Sequence, residues 1–249
     1  MAASVAATFV LCSVVSAEPV IGEKIYQKCV NCHGENAHGK QFKGDKRAWA
    51  PAIAGLQKEY IARQVRHFRD QVRGSHIEDV PGHRMRPMAR MLNDEMIEAV
   101  AGYLSTLPVA PVQQTIVDGD IERGKLIYNR AGSCNQCHGD YAEGNLANNG
   151  PDLRYTGDWY ILGQLKNFKN GYRGDGRTHD DNGRKRGKRI RTKFDKRHIW
   201  KSAVDTMGAS MVGQVWPKDG TPILRDEQDM KDVVAYITYL AQEAEKKRK

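Results

Sequence analysis

The chain has 249 residues, with 39 Lys and Arg against 30 Asp and Glu, a formal net charge of +9. Hydrophobic residues make up 40% and charged residues 28%, which suits one ordinary domain or two small ones and excludes wholesale disorder. Five cysteines are too few for a disulfide-stapled scaffold, and no apolar run after position 17 is long enough to span a bilayer.

Residues 1–17 carry no charge and hold an apolar stretch from Val5 to Val15, followed by small residues. Val15-Ser16-Ala17 reads as a cleavage site, with Glu18-Pro19 opening the mature chain. The stretch lacks the Lys or Arg that usually begins such a signal, yet it is too short to span. The expectation is export to the periplasm, either free or associated with a membrane. Cys12 then leaves with the signal.

The other four cysteines stand in two matching pentapeptides, Cys29-Val-Asn-Cys32-His33 and Cys134-Asn-Gln-Cys137-His138. This is the pattern by which c-type haem is attached. Two thiols three positions apart project from one side of a helical turn and add to the two vinyl groups. The adjacent imidazole is held beneath the iron. A zinc site pairs such motifs about 15–20 residues apart, whereas these lie 105 apart. A thioredoxin-like pair has no use for the histidine. Cys29, Cys32, Cys134 and Cys137 are therefore expected to bind two covalent haem c groups, with His33 and His138 on the irons.

The chain also repeats itself. Residues 60–74 lie over 160–174 at an offset of 100, with Tyr, Ile, Gln, Phe, Arg and Gly identical. Residues 98–107 lie over 231–240 at an offset of 133, so 33 residues of growth fall between Gly174 and Tyr236. Each half predicts a helix with the cysteine motif, a loop, and a helix near 58–72 or 158–172. A ligand loop and a closing helix then follow. The closing helices carry apolar residues at helical spacing: Ile97, Val100, Ala101 and Leu104, then Val233, Val234, Ile237 and Leu240. Leu107-Pro108 ends the first unit. The expected architecture is all-α: a signal at 1–17, one domain at 18–108, a linker at 109–119, and a second domain at 120–249 with an insertion at 175–205.

A second iron ligand decides between carrier and enzyme, because an open face binds small molecules. In the first half Met85, Met88 and Met91 lie in what reads as a loop entering a helix capped near Asn93 or Asp94. Met85 is deepest in that loop, where a thioether is free to reach. Met96 falls at core spacing inside the closing helix. In the second half the candidates are Met207 and Met211, with Met230 in the closing helix. His83 is the rival to Met85 among the histidines.

Taken together, these motifs resemble the dihaem cytochromes c of the cytochrome c4 type, which are two class I cytochrome c domains in tandem. The likeness covers roughly 20–175 and 203–242. Met85, Met88, Leu92 and Asp94 fit that family's methionine loop, so the resemblance implies Met85 as the first ligand. Met211 matches the methionine of related dihaem proteins, although the longer spacing from Met211 to Leu224 leaves Met207 open. The resemblance also places Pro51 and Pro151 with their carbonyls on the ring N–H of His33 and His138.

From Arg184 to Lys201 there are ten Lys and Arg and one Asp195, so the net charge of the whole chain sits in this block. An exported haem protein does not meet nucleic acid, so the block reads either as a solvated loop or as a docking patch. The partner for docking would be an acidic protein or anionic lipid. The expected function is electron carriage between respiratory redox partners, such as a membrane complex or terminal oxidase, through two His/Met haems. Such a chain is a carrier or electron-transfer subunit, not an enzyme. The alternative is a haem enzyme with one open or labile iron acting on a small sulfur, nitrogen or peroxide species.

Overall fold

The computed structural model describes residues 18–41, 49–131, 134–174, 178–179, 185–186, 206–215 and 223–248. Residues 1–17 with Cys12, read from the sequence as a signal, and nearly all of the basic block lie outside the described residues. In the first half the helices are α1 (Glu18–Tyr26), α2 (Val30–His33), α3 (Lys58–Arg69), α4 (Val80–Arg90) and α5 (Asp94–Thr106). In the second they are α6 (Ile121–Leu126), α7 (Cys134–His138), α8 (Asp158–Lys169), α9 (Thr206–Val215) and α10 (Glu227–Lys246). Thr178–His179 and Lys185–Arg186 form a two-residue antiparallel pair, a minor addition to an all-α fold.

The element starts follow from capping. The Asn93 side chain accepts from Met96 N at 2.9 Å to open α5, and Asp226 accepts from Asp229 N at 2.9 Å to open α10. Asp79 and Asp120 cap α4 and α6 in the same way. The closing helices then bury the stripes read from their spacing, with Ile97 and Val234 fully enclosed.

Each half has its own core. One gathers Ile25, Tyr26, Leu56, Ile61, Ile97 and Val100; the other gathers Ile127, Tyr128, Leu165, Met230, Val234 and Ile237. The first and last helices of each half cross at a glycine. A Cβ on Gly22 of α1 would strike the Ala99 carbonyl and Tyr103 of α5. A Cβ on Gly124 of α6 would strike the Asp232 carbonyl and Tyr236 of α10. Beside each crossing a tyrosine pair packs, Tyr26 with Tyr103 at 5.8 Å and Tyr128 with Tyr236 at 5.6 Å between ring centres.

Four details differ from the sequence expectation. Met85 lies inside helix α4, not in a loop: the helix runs through Pro87, whose missing N–H leaves the His83 carbonyl without its usual partner. Met96 is 36% exposed, because the buried stripe of α5 runs through Ile97, Val100 and Leu104 instead. Residues 109–119, expected as a linker, are packed down where the sequence showed no reason for it, with Ala110 and Ile116 buried. Buried Asp158, at the start of α8, accepts hydrogen bonds from Thr115 N, Thr115 Oγ1 and Ile116 N and fastens the segment down. Finally, a π-helical turn, Ile127–Ala131, separates α6 from the second cysteine motif. Three more residues stand between Tyr128 and Cys134 than between Tyr26 and Cys29.

Asp229 anchors the second half. It accepts from Arg123 Nη2 at 2.6 Å and Arg225 Nε at 2.8 Å while almost fully buried. Burial opposes its charge, but the Arg225 and Arg123 bonds outweigh burial and hold the carboxyl well below the usual range. Its stabilisation is therefore present above about pH 4, the unfolded carboxylate value, and is lost as pH falls toward the depressed folded value. Asp229→Asn should lower stability at pH 7 by about 3 kcal/mol. Wild type and variant should converge in acid melts below pH 4.

Candidate functional site

The two cysteine motifs fold alike. Cys29 precedes α2, with His33 N bonded to Cys29 O at 2.9 Å, and Gly34 follows in the left-handed region at φ +79°. In the second half Gly139 follows His138 with the same φ of +79°. Each motif is succeeded by a buried alanine at positive φ, Ala37 and Ala142, whose carbonyl accepts from Ile53 N and Leu153 N respectively. From His33 to Pro51 is 18 residues and from His138 to Pro151 is 13, yet both loops return to the same place.

At that place the histidine rings are fixed. His33 Nδ1 donates to Pro51 O at 2.9 Å, and His138 Nδ1 donates to Pro151 O at 2.9 Å. A carbonyl only accepts, so the proton sits on Nδ1 and the lone pair of each ring is on Nε2. Both rings are buried, and burial pushes their pKa down, which keeps the imidazoles neutral and able to bind metal. Burial also pushes the Cys29 thiol up to about 11 and the Cys134 thiol up to about 12. None of the four motif cysteines is engaged in a disulfide, which leaves all four sulfurs for thioether attachment.

The loop after each motif is braced by a tyrosine that the sequence reading missed. Tyr26 Oη donates to Gly34 O, and Tyr128 Oη donates to Gly139 O at 2.8 Å. Both tyrosines are fully buried. The available signal was one Tyr three residues before the first motif and another six before the second.

The sulfur candidates are placed unequally. Met85 is half-buried on α4, which packs against α3, while Met91 is 52% exposed. Met211 on α9 is partly buried and packs against the same core as Cys134. Met207 shares α9, but its side chain lies outside the described atoms. His83 is exposed, with Nδ1 donating to Gly74 O at 3.3 Å.

A neutral imidazole with a free Nε2, two reduced thiols beside it and an apolar wall fit a covalently attached haem in each half. The cytochrome c family matches the chain over residues 20–108 and 121–241. The chain belongs to the cytochrome c family. It carries two cytochrome c domains and two covalent haem c groups.

Among relatives, it is 31% identical over 154 residues to the cbb3-type cytochrome c oxidase subunit FixP of Sinorhizobium medicae, covering 57% of this chain and 48% of that one. It is 30% identical over 158 residues to the thiosulfate dehydrogenase electron acceptor of Thiomonas intermedia, covering 58% and 64%. The chain thus spans about half to two thirds of the length of these relatives. The fold matches reduced cytochrome c4 from Pseudomonas stutzeri with a TM-score of 0.58 at 19% identity, covering 88% of this chain and 97% of that one.

Tyr128→Phe should leave the Gly139 carbonyl short of a donor and cost about 1 kcal/mol. The expected readout is a lower melting temperature with the second haem still attached, and Tyr26→Phe should behave likewise for the first.

Proposed function

We propose that this chain is an exported electron carrier with one His/Met haem in each of two domains, divided near residues 109–119. The observation that carries this reading is the duplicated histidine site, each copy with a methionine-bearing helix packed beside its core. Cys29, Cys32, Cys134 and Cys137 would hold the haems through thioethers, His33 and His138 would bind the irons, and Met85 and Met211 would supply the second ligand of each. Haem iron ligated on both faces exchanges single electrons with little rearrangement.

The chain's own residues do the rest. Pro51 and Pro151 hold the ring tautomer that leaves the lone pair on Nε2, the nitrogen that would bind metal, and their carbonyls make the imidazoles stronger donors. Tyr26 and Tyr128 hold the loop that follows, and the two cores pack against Cys29 and Cys134. The relatives named as an oxidase subunit and as an electron acceptor support partners on both sides of an electron relay. A terminal oxidase or membrane complex would receive electrons, in the periplasm. The basic block at 184–201 provides the docking charge for an acidic protein or anionic lipid.

Ligation is tested by the near-red sulfur-to-iron band of the oxidised protein. Met85→Ala should remove about half of it and Met211→Ala the rest. If Met207→Ala removes the second half instead, the ligand moves one turn along α9. High-spin iron in the wild-type protein would favour the other reading, an open haem acting on a small sulfur, nitrogen or peroxide species.

Docking is tested with salt. The screening length is about 8 Å at physiological ionic strength, so electron exchange with a membrane partner should slow as salt rises. Changing Arg184, Lys185, Arg186, Lys188 and Arg189 to Glu should slow it at low salt while both haem spectra stay unchanged. An unchanged rate would leave the block as a solvated loop.

A further inference from the structure

The two halves meet at several places. At one, Arg73 and Arg173, equivalent in the repeat, each donate to both Gln64 and Gln164 and lie over Phe68 and Phe168. The glycines after them, Gly74 and Gly174, pack on α4 and α9. At another, the start of α3 reaches the loop that leads into Pro151, and this contact bears on the second histidine site.

Two side chains of the first half make that contact. Gln57 Oε1 accepts from Asp152 N at 3.3 Å. Arg63 on α3 donates from Nη1 to Asn149 Oδ1 at 3.1 Å and from Nη2 to Asn149 O at 3.0 Å. Gly144 leaves room for the glutamine: its φ is +86°, and a Cβ there would meet Gln57 Nε2 and Asp152 N. The same loop is pressed against the cysteine motif, since a Cβ on Gly150 would strike the Cys137 carbonyl.

One peptide unit joins this contact to the histidine. The carbonyl of Pro151 and the N–H of Asp152 belong to the same amide group. Its oxygen accepts from His138 Nδ1 at 2.9 Å, and its N–H donates to Gln57 Oε1. Hydrogen bonds linked through one amide polarise each other: an acceptor on the N–H draws charge onto the oxygen. A better acceptor on Nδ1 then gives the imidazole a stronger lone pair at Nε2. The path runs one way. Gln57 stands at the start of α3 but makes no side-chain cap to its own helix. Its counterpart in the repeat, at the start of α8, is Gly157, which has no side chain to return the contact. In the first half, Ala52 N of the equivalent amide has no side-chain acceptor among the described residues.

We propose that Gln57 is a positioning residue by which the first half tunes the second: it polarises the Pro151 carbonyl, strengthens His138 as a donor and lowers the midpoint of the second haem. The proposal rests on the reading of His138 as an iron ligand. A stronger donor favours oxidised iron, so loss of the Gln57 acceptor raises that midpoint. Simple loosening of the loop has the opposite sign, because water reaching a haem favours its more highly charged oxidised state.

The test pairs spectroelectrochemical titration of the dihaem protein with proton NMR of its reduced, diamagnetic form. There the His138 Nδ1–H resonance reads the bond to Pro151 directly. Gln57→Leu removes the acceptor at similar volume. It should raise the second midpoint by about threefold in the reduction constant, or about 30 mV at 59 mV per decade, and leave the first in place. The Nδ1–H should move upfield, and the Asp152 amide should exchange faster with solvent. Gln57→Glu keeps the acceptor and adds charge to it. It should lower the second midpoint and move the Nδ1–H downfield, which decides the matter if Gln57→Leu does not assemble. The proposal is overturned if Asp152 exchange quickens in Gln57→Leu while the Nδ1–H and the second midpoint stay where they were. It is equally overturned if the second midpoint falls in Gln57→Leu, or if both midpoints rise together. Failure of the ligand reading would show separately in wild type, where the His138 ring protons would lack the ring-current shift of a haem-bound imidazole.

Discussion

The hydrogen bond from each histidine Nδ1 to a proline carbonyl is the constraint around which each half is arranged. A carbonyl cannot donate, so this single contact of 2.9 Å fixes the tautomer, the ring plane and the nitrogen left for metal. Everything nearby serves to bring that carbonyl back to the ring. The left-handed glycine after each motif turns the chain, the buried alanine at positive φ bonds the returning strand, and the tyrosine on the preceding helix holds the turn. The two loops differ in length by five residues, yet they meet the same requirement. The geometry is kept where chemistry demands it and is free elsewhere.

Local signals in the sequence carried the parts of the structure that depend on near neighbours. The cysteine motifs are defined by spacing within one turn, and the closing helices by apolar periodicity and capping residues. Asn93 and Asp226 cap their helices through side-chain oxygens. The repeat of 60–74 over 160–174 likewise marked α3 and α8. These features are legible because helix formation reads residues three and four apart.

Other features depended on partners far along the chain. Pro87 suggests a loop because proline cannot donate and restricts its predecessor, but α4 packs against α3 and the helix continues through Met85. Met96 sits at a spacing that fits either side of the stripe, and the face of α5 that α1 and α3 cover leaves it exposed. The segment after Pro111 has the composition of a tether, yet Asp158, more than forty positions away, captures its backbone. The identities of Gln64 and Arg73 with Gln164 and Arg173 were visible as a repeat. Their meeting across the halves was not, because no periodic pattern encodes which surfaces of two similar units face each other.

That meeting changes what the duplication means. Two domains joined by a solvated linker would move independently and share little beyond proximity. Here the connecting segment is bonded to α8, two buried arginines exchange glutamines across the junction, and His76 stacks on Tyr172 with ring centres 4.1 Å apart. Separating the halves would expose two guanidinium groups together with the rings beneath them, and would leave both glutamines without half of their donors. The same contacts reach α4 and α9 through Gly74 and Gly174. The junction therefore adjoins the seating of the sulfur-bearing helix in each half. The halves nonetheless remain different: only the second carries the π-helical turn before its motif, the buried Asp229 anchored by two arginines, and the basic block. Shared packing at the junction joins the two halves, and unequal surroundings away from it keep their two sites from being identical.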